Sequence, residues 1–107
     1  MIAVSGAAML GLSGIASASG EVQVPGARFA FDSRTDQLRL WDTADDGNRV
    51  YAVVQYQGRT VWMYNASGPG SVETTKLPAG SGNEIVYKVC VDNPGLATCS
   101  PWRKDVT

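Results

Sequence analysis

Histidine is absent from this 107-residue chain, and no other absence excludes as much chemistry. The commonest general base is missing, so serine–histidine and cysteine–histidine schemes are excluded. Cysteine is scarce too. There are two, Cys90 and Cys99, too few for a metal site without histidine to help them. Basic charge is not in excess: nine Lys and Arg against ten Asp and Glu leave a net charge of −1. The clustered cations that nucleic acid requires are missing, and no basic amphipathic stretch suggests a membrane surface. Also missing downstream of residue 20 is any apolar pattern of helical period sustained over three turns.

Charge of either sign is missing from residues 1–20. Ile2, Val4, Met9, Leu10, Leu12 and Ile15 stand there among Ala, Gly and Ser, and Ala16-Ser17-Ala18 closes the run with small residues. This is the pattern of the apolar core and cleavage site of a secretory signal, so residues 1–18 are expected to be removed on export. The basic residues that usually precede such a core are absent, as if its start were cut short. Gly6, Gly11 and Gly14 argue against a buried helix, each costing about 1 kcal/mol relative to Ala. The cysteines agree with export. They lie nine positions apart in a small chain, which predicts a disulfide between Cys90 and Cys99.

Beyond the signal the chain alternates. Residues 19–27 alternate weakly through Val22 and Val24 up to Pro25, either as an edge strand or as a flexible N-terminal arm. Residues 28–107 are expected to form the domain. Phe29 and Phe31 share one face of a short strand, and Leu38 and Leu40 share one face of the next. Val50, Ala52, Val54 and Tyr56 alternate with Tyr51 and Val53. Val61 and Met63 alternate with Trp62 and Tyr64, and a short turn around Gly58 makes the two runs an antiparallel hairpin. Residues 72–77 are polar and Thr-rich, which suits an exposed edge strand. Ile85, Tyr87, Val89 and Val91 face opposite to Val86, Lys88 and Cys90, and Asp92-Asn93-Pro94-Gly95 then turns the chain so that Cys99 returns beside Cys90. The expectation is an all-β fold: a small antiparallel β-sandwich of seven to eight strands with one disulfide.

Three features could carry function. The turn Asp42-Thr43-Ala44-Asp45-Asp46-Gly47 invites a calcium reading, but Ala44 and Val53 occupy positions where an EF-hand needs oxygen ligands. A looser site using Asp42, Asp45 and Asp46 stays open beside the plainer reading, a turn whose carboxylates cap local amides. The aromatics Trp41, Tyr51, Tyr56, Trp62, Tyr64, Tyr87 and Trp102 could line a carbohydrate or protein surface, and alternation sets Trp62 and Tyr64 beside Tyr51 on one face of the hairpin. Alternation leaves open whether that face or the opposite one is the core. Leu96, in a loop closed by the disulfide, could enter a pocket on a partner, and Val22 and Val24 could complete an open sheet edge on one. The triplet Asn65-Ala66-Ser67 matches a glycosylation acceptor, a match too common to weigh.

Residues 38–102 resemble a group of small exported β-sandwich proteins common in Streptomyces and related actinobacteria. The matching pieces are Leu38-Arg39-Leu40-Trp41-Asp42-Thr43-Ala44-Asp45-Asp46-Gly47 and the closing pattern Tyr87-Lys88-Val89-Cys90 with Cys99-Ser100-Pro101-Trp102. The resemblance implies export and the sandwich fold. It departs at Trp41, where many such proteins carry a half-cystine, so it implies no second bridge here. Among exported domains of these bacteria, the chain is similar to adaptor subunits of umbrella toxin particles. Small inhibitors of proteases and amylases are the alternative. The function expected is therefore a secreted, non-catalytic protein-binding module without a cofactor, whose partner is another secreted protein rather than nucleic acid or a membrane.

Overall fold

The computed structural model describes residues 20–78, 80 and 82–107. The expected signal peptide and Ser19 lie outside the described residues. Among the described residues there are nine strands and no helix: β1 (Gly20–Val24), β2 (Ala27–Asp32), β3 (Gln37–Asp42), β4 (Val50–Tyr56), β5 (Arg59–Asn65), β6 (Val72–Lys76), β7 (Glu84–Val91), β8 (Thr98–Cys99) and β9 (Arg103–Val106). They form two antiparallel sheets, one of four strands in the order β1-β2-β3-β6, the other of five in the order β5-β4-β7-β8 with β9 also on β7.

Alternation decides the layering. Ala27, Phe29, Phe31, Leu38 and Leu40 of the first sheet are buried against Val50, Ala52, Val54, Tyr56, Ile85, Tyr87, Val89 and Val91 of the second. One continuous core thus lies between the sheets, as in a β-sandwich. Turn chemistry sets the registers. Pro25-Gly26, with Gly26 at φ 99°, joins β1 to β2 as a type II turn would. Gln57 and Gly58, at φ 50° and 73°, form the tight turn between β4 and β5.

Three findings refine the expectations. Residues 20–24 are an edge strand: β1 pairs with β2 from Gly20 opposite Phe31 to Val24 opposite Ala27. Val22 and Val24 are half-buried against the core, and Ala27 already belongs to β2. The Thr-rich β6 is exposed throughout, as its composition suggests, and occupies the opposite edge of the same sheet. Finally, the strand count exceeds seven to eight because β9 follows the disulfide. Cys90 faces Cys99, yet Tyr87 faces Arg103, so one extra residue is accommodated between them as a bulge. Ser100 fills the gap. Its hydroxyl accepts the Val89 amide at 3.1 Å, while its own amide donates to the Val89 carbonyl at 2.8 Å. Pro101 sits in that bulge, where its missing N–H is tolerated.

Asn65 ties the sheets together from the end of β5. Its side-chain amide donates to the carbonyls of Leu40 and Ser71, and its oxygen accepts from the Ser67 amide and the Ser71 hydroxyl. The side chain is fully buried, so the glycosylation triplet it begins is closed to modification in the folded chain.

Candidate functional site

The outer face of the five-stranded sheet collects the exposed aromatics. Because Val50, Ala52, Val54 and Tyr56 point into the core, Tyr51, Val53 and Gln55 point outward. The hairpin register puts Tyr51 opposite Tyr64 and Val53 opposite Trp62. Across β4 on its other side, Cys90 faces Tyr51 and Lys88 faces Val53. Tyr51 therefore sits between two rings, with centroids 5.8 Å from Trp62 and 5.8 Å from Tyr64. Trp62 is 55% exposed, whereas Val53, flanked by Trp62 and Lys88, is only 4% exposed. Alternation predicted the grouping of Trp62, Tyr64 and Tyr51. That this face looks outward is decided by the first sheet, which covers the opposite one.

Cations frame the rings. The Lys88 ammonium lies 4.7 Å from the ring centroid of Trp102, and the Arg49 guanidinium lies 4.6 Å from that of Tyr64. Arg49 also pairs with Asp92 at 3.0 Å, and Lys104 pairs with Glu84 at 3.4 Å. Lys88 belongs to none of the ion pairs found among the described residues. Sequence reasoning missed both cation–ring contacts, since each joins residues brought together only by sheet register or by a loop.

Leu96 lies at the end of the sandwich where the β7–β8 loop turns, and it is 79% exposed. The loop is braced. Asn93 donates its amide to the Val91 carbonyl and Leu96 donates to the Asn93 carbonyl. The Asn93 side chain accepts from Asn48 at 3.0 Å and donates to Thr98 at 2.8 Å. At its base the Cys90–Cys99 disulfide joins directly opposed residues with Cα atoms 4.0 Å apart. Gly95, at φ 83°, follows Pro94 and completes a type II turn.

The acidic turn is not assembled as a cation site. Asp42 is buried and accepts the Ala44 amide at 3.2 Å. Asp46 accepts the Asn48 amide at 2.9 Å, and Asp45 is exposed. Among the described residues no group of three or more His, Cys, Asp or Glu could hold a metal ion. Asp42 and Asp46 act as turn caps, the geometry expected when Asp bonds the amide two residues on.

One buried titratable group is strongly shifted. Burial, and then its hydrogen bond to Asp105, push the Tyr87 phenol well above the ordinary tyrosine value. Its hydroxyl donates to the Asp105 carboxylate, which also accepts from Arg103 at 2.9 Å, and this bond holds the guanidinium above its ordinary range. The cluster fastens β9 to the core. It is a structural latch, because its phenol is held neutral as a hydrogen-bond donor.

The disulfide fits an extracellular protein, and among the described residues no helix is long and apolar enough to cross a membrane. No family model matches the chain, and no curated protein is similar enough to count as a relative.

Proposed function

We propose that this is a secreted, non-catalytic protein-binding module that acts as an adaptor in an extracellular assembly, such as an antibacterial toxin particle. The observation that carries this reading is the outer face of the five-stranded sheet. Trp62, Tyr64 and Trp102 are exposed there beside Tyr51, Arg49 and Lys88. Trp, Tyr and Arg are the residues that most often anchor protein interfaces. Tyr51, Trp62, Tyr64 and Lys88 lie on paired strands, and Arg49 and Trp102 immediately precede strands, so little conformational freedom is lost on docking. The test is capture of proteins from the native producer's culture supernatant, run with the wild-type chain and with Trp62→Ala/Trp102→Ala. The expected result is a secreted partner held by the wild type and released by the variant. Equal capture by both proteins would overturn the reading.

A second reading, an inhibitor of a secreted protease or glycosidase, is favoured by the braced loop that presents Leu96. A rigid loop with an exposed apolar tip is suited to filling an active-site pocket. Inhibition of a subtilisin-like, trypsin-like or amylase activity, lost in Leu96→Ala, would support it. No inhibition at micromolar protein would remove it.

A further inference from the structure

We infer that Lys88 is the charge-reading centre of the aromatic face, and that the partner is a protein segment presenting an Asp or Glu carboxylate flanked by apolar groups. This rests on the protein-binding reading above and adds the chemistry of the partner.

The inference starts from the row that crosses the sheet. Trp62, Val53 and Lys88 are successive cross-strand neighbours, and Trp102 lies against Lys88. At about 4.8 Å per strand, Trp62 is rooted roughly 10 Å from Lys88, whose ammonium lies against Trp102. A partner that covers both rings must also cover Lys88. Taking an ammonium out of water without a counter-charge is costly, and contact with one ring returns only part of that cost. The chain's own carboxylates beside this face are committed, Asp92 to Arg49 and Glu84 to Lys104. Lys88 has no such partner among the described residues. The negative charge must come from outside.

A phosphate backbone could also bring negative charge, and its bases could stack on tryptophan. Single-stranded nucleic acid, however, is held by a track of cations, whereas of the cations described on this face Arg49 and Lys104 are in ion pairs and Lys88 alone is not, on a chain of net charge −1. An acidic protein segment needs only the one.

The test pans a random peptide library, displayed on phage, against the immobilised disulfide-bonded chain. The expected peptides carry Asp or Glu between apolar residues. A synthetic copy should lose affinity roughly tenfold or more when its acid becomes the amide, or when Lys88→Glu is the target. Panning on Lys88→Glu should select Lys or Arg instead. Lys88 points outward, so its variants should melt with the wild type; a matched melting curve makes any loss of binding a loss of recognition. Peptides that lack an acid, bind Lys88→Gln as well as wild type and fail on Trp62→Ala would overturn the carboxylate assignment and leave the binding face standing. Peptides held equally by Trp62→Ala and Trp102→Ala, or no enrichment at all, would overturn both. Tighter binding of a single-stranded DNA oligonucleotide than of any selected peptide would overturn the assignment in favour of a polyanion.

Discussion

Phe29 of the first sheet and Tyr87 of the second meet edge to face across the sandwich, their ring centroids 5.3 Å apart. Tyr87 lies at the centre of the core with its hydroxyl reaching out to Asp105 on the last strand. The packing of the two sheets and the attachment of β9 therefore share one side chain.

Replacing Tyr87 separates the two roles. Tyr87→Phe keeps the ring and removes a bond to a carboxylate, so stability should fall by about 1.5–3 kcal/mol. Tyr87→Ala should remove about 3–5 kcal/mol, because it also leaves a cavity against Phe29. Urea unfolding of the three proteins checks both values. The phenol also sets a pH limit. Its folded pKa lies above its unfolded value near 10, so the stability it contributes is whole below about pH 10 and declines as pH rises beyond. A tyrosinate absorbance titration should show one phenol that ionises only with unfolding, and that signal should vanish in Tyr87→Phe. Between about pH 6 and 8 melting should hardly move, since no histidine is present to titrate.

The disulfide can be assessed separately from the loop it closes. Replacing Cys90 and Cys99 together with Ala avoids a buried hydroxyl at position 90 and should cost about 2–3 kcal/mol by chain entropy. Mapping of peptides without reductant should recover the two cysteines linked. Without the bridge at its base, the Leu96 loop should also become more sensitive to protease.

Asn65→Ala should be more damaging than its place in an ordinary strand suggests. It strips partners from the Leu40 and Ser71 carbonyls and from the Ser67 amide at a buried site. Unsatisfied buried groups cost about 1–3 kcal/mol each, so a total loss of at least about 2 kcal/mol is expected in denaturant melts. Asn65→Asp should not rescue it, because a carboxylate oxygen cannot donate to the two carbonyls.

Much of this fold was legible because period-two alternation and turn residues act locally. The β4–β5 hairpin follows from its tight turn, the exposed β6 from its threonines, and the Cys90–Cys99 bridge from the turn between them. What escaped depended on distant partners. β9 is Arg-Lys-Asp-Val, four residues with no apolar alternation, and it is a strand because β7 offers an open edge and Ser100 carries the ladder through the bulge. Asn65 reads as a polar strand end until β3 supplies the Leu40 carbonyl. The binding face was legible as a grouping of rings. Its cations were not, since nothing local links Lys88 to Trp102 or Arg49 to Tyr64.

The first strand was open to two readings in the sequence, and a deletion distinguishes them. As a mobile arm, residues 20–24 would be dispensable to the fold and available to complete a sheet edge on a partner. In the structure they already pair along all of β1 with β2, and Glu21 is linked to Arg28 at 2.9 Å across that pair. The Glu21–Arg28 pair is exposed and worth little. Val22 and Val24 matter more, because each is half-buried on the core and its removal uncovers apolar surface at roughly 25 cal/mol per Å². Deletion would also leave the outer edge of β2 unpaired, an invitation to association between chains. Removing residues 20–24 should therefore lower the melting temperature by several degrees and raise the tendency to aggregate, with Val22→Ala/Val24→Ala giving a smaller drop in the same direction. A truncated chain that melts with the wild type would show that β1 contributes nothing to the sandwich, and the donated-arm role for Val22 and Val24 would then be the better account.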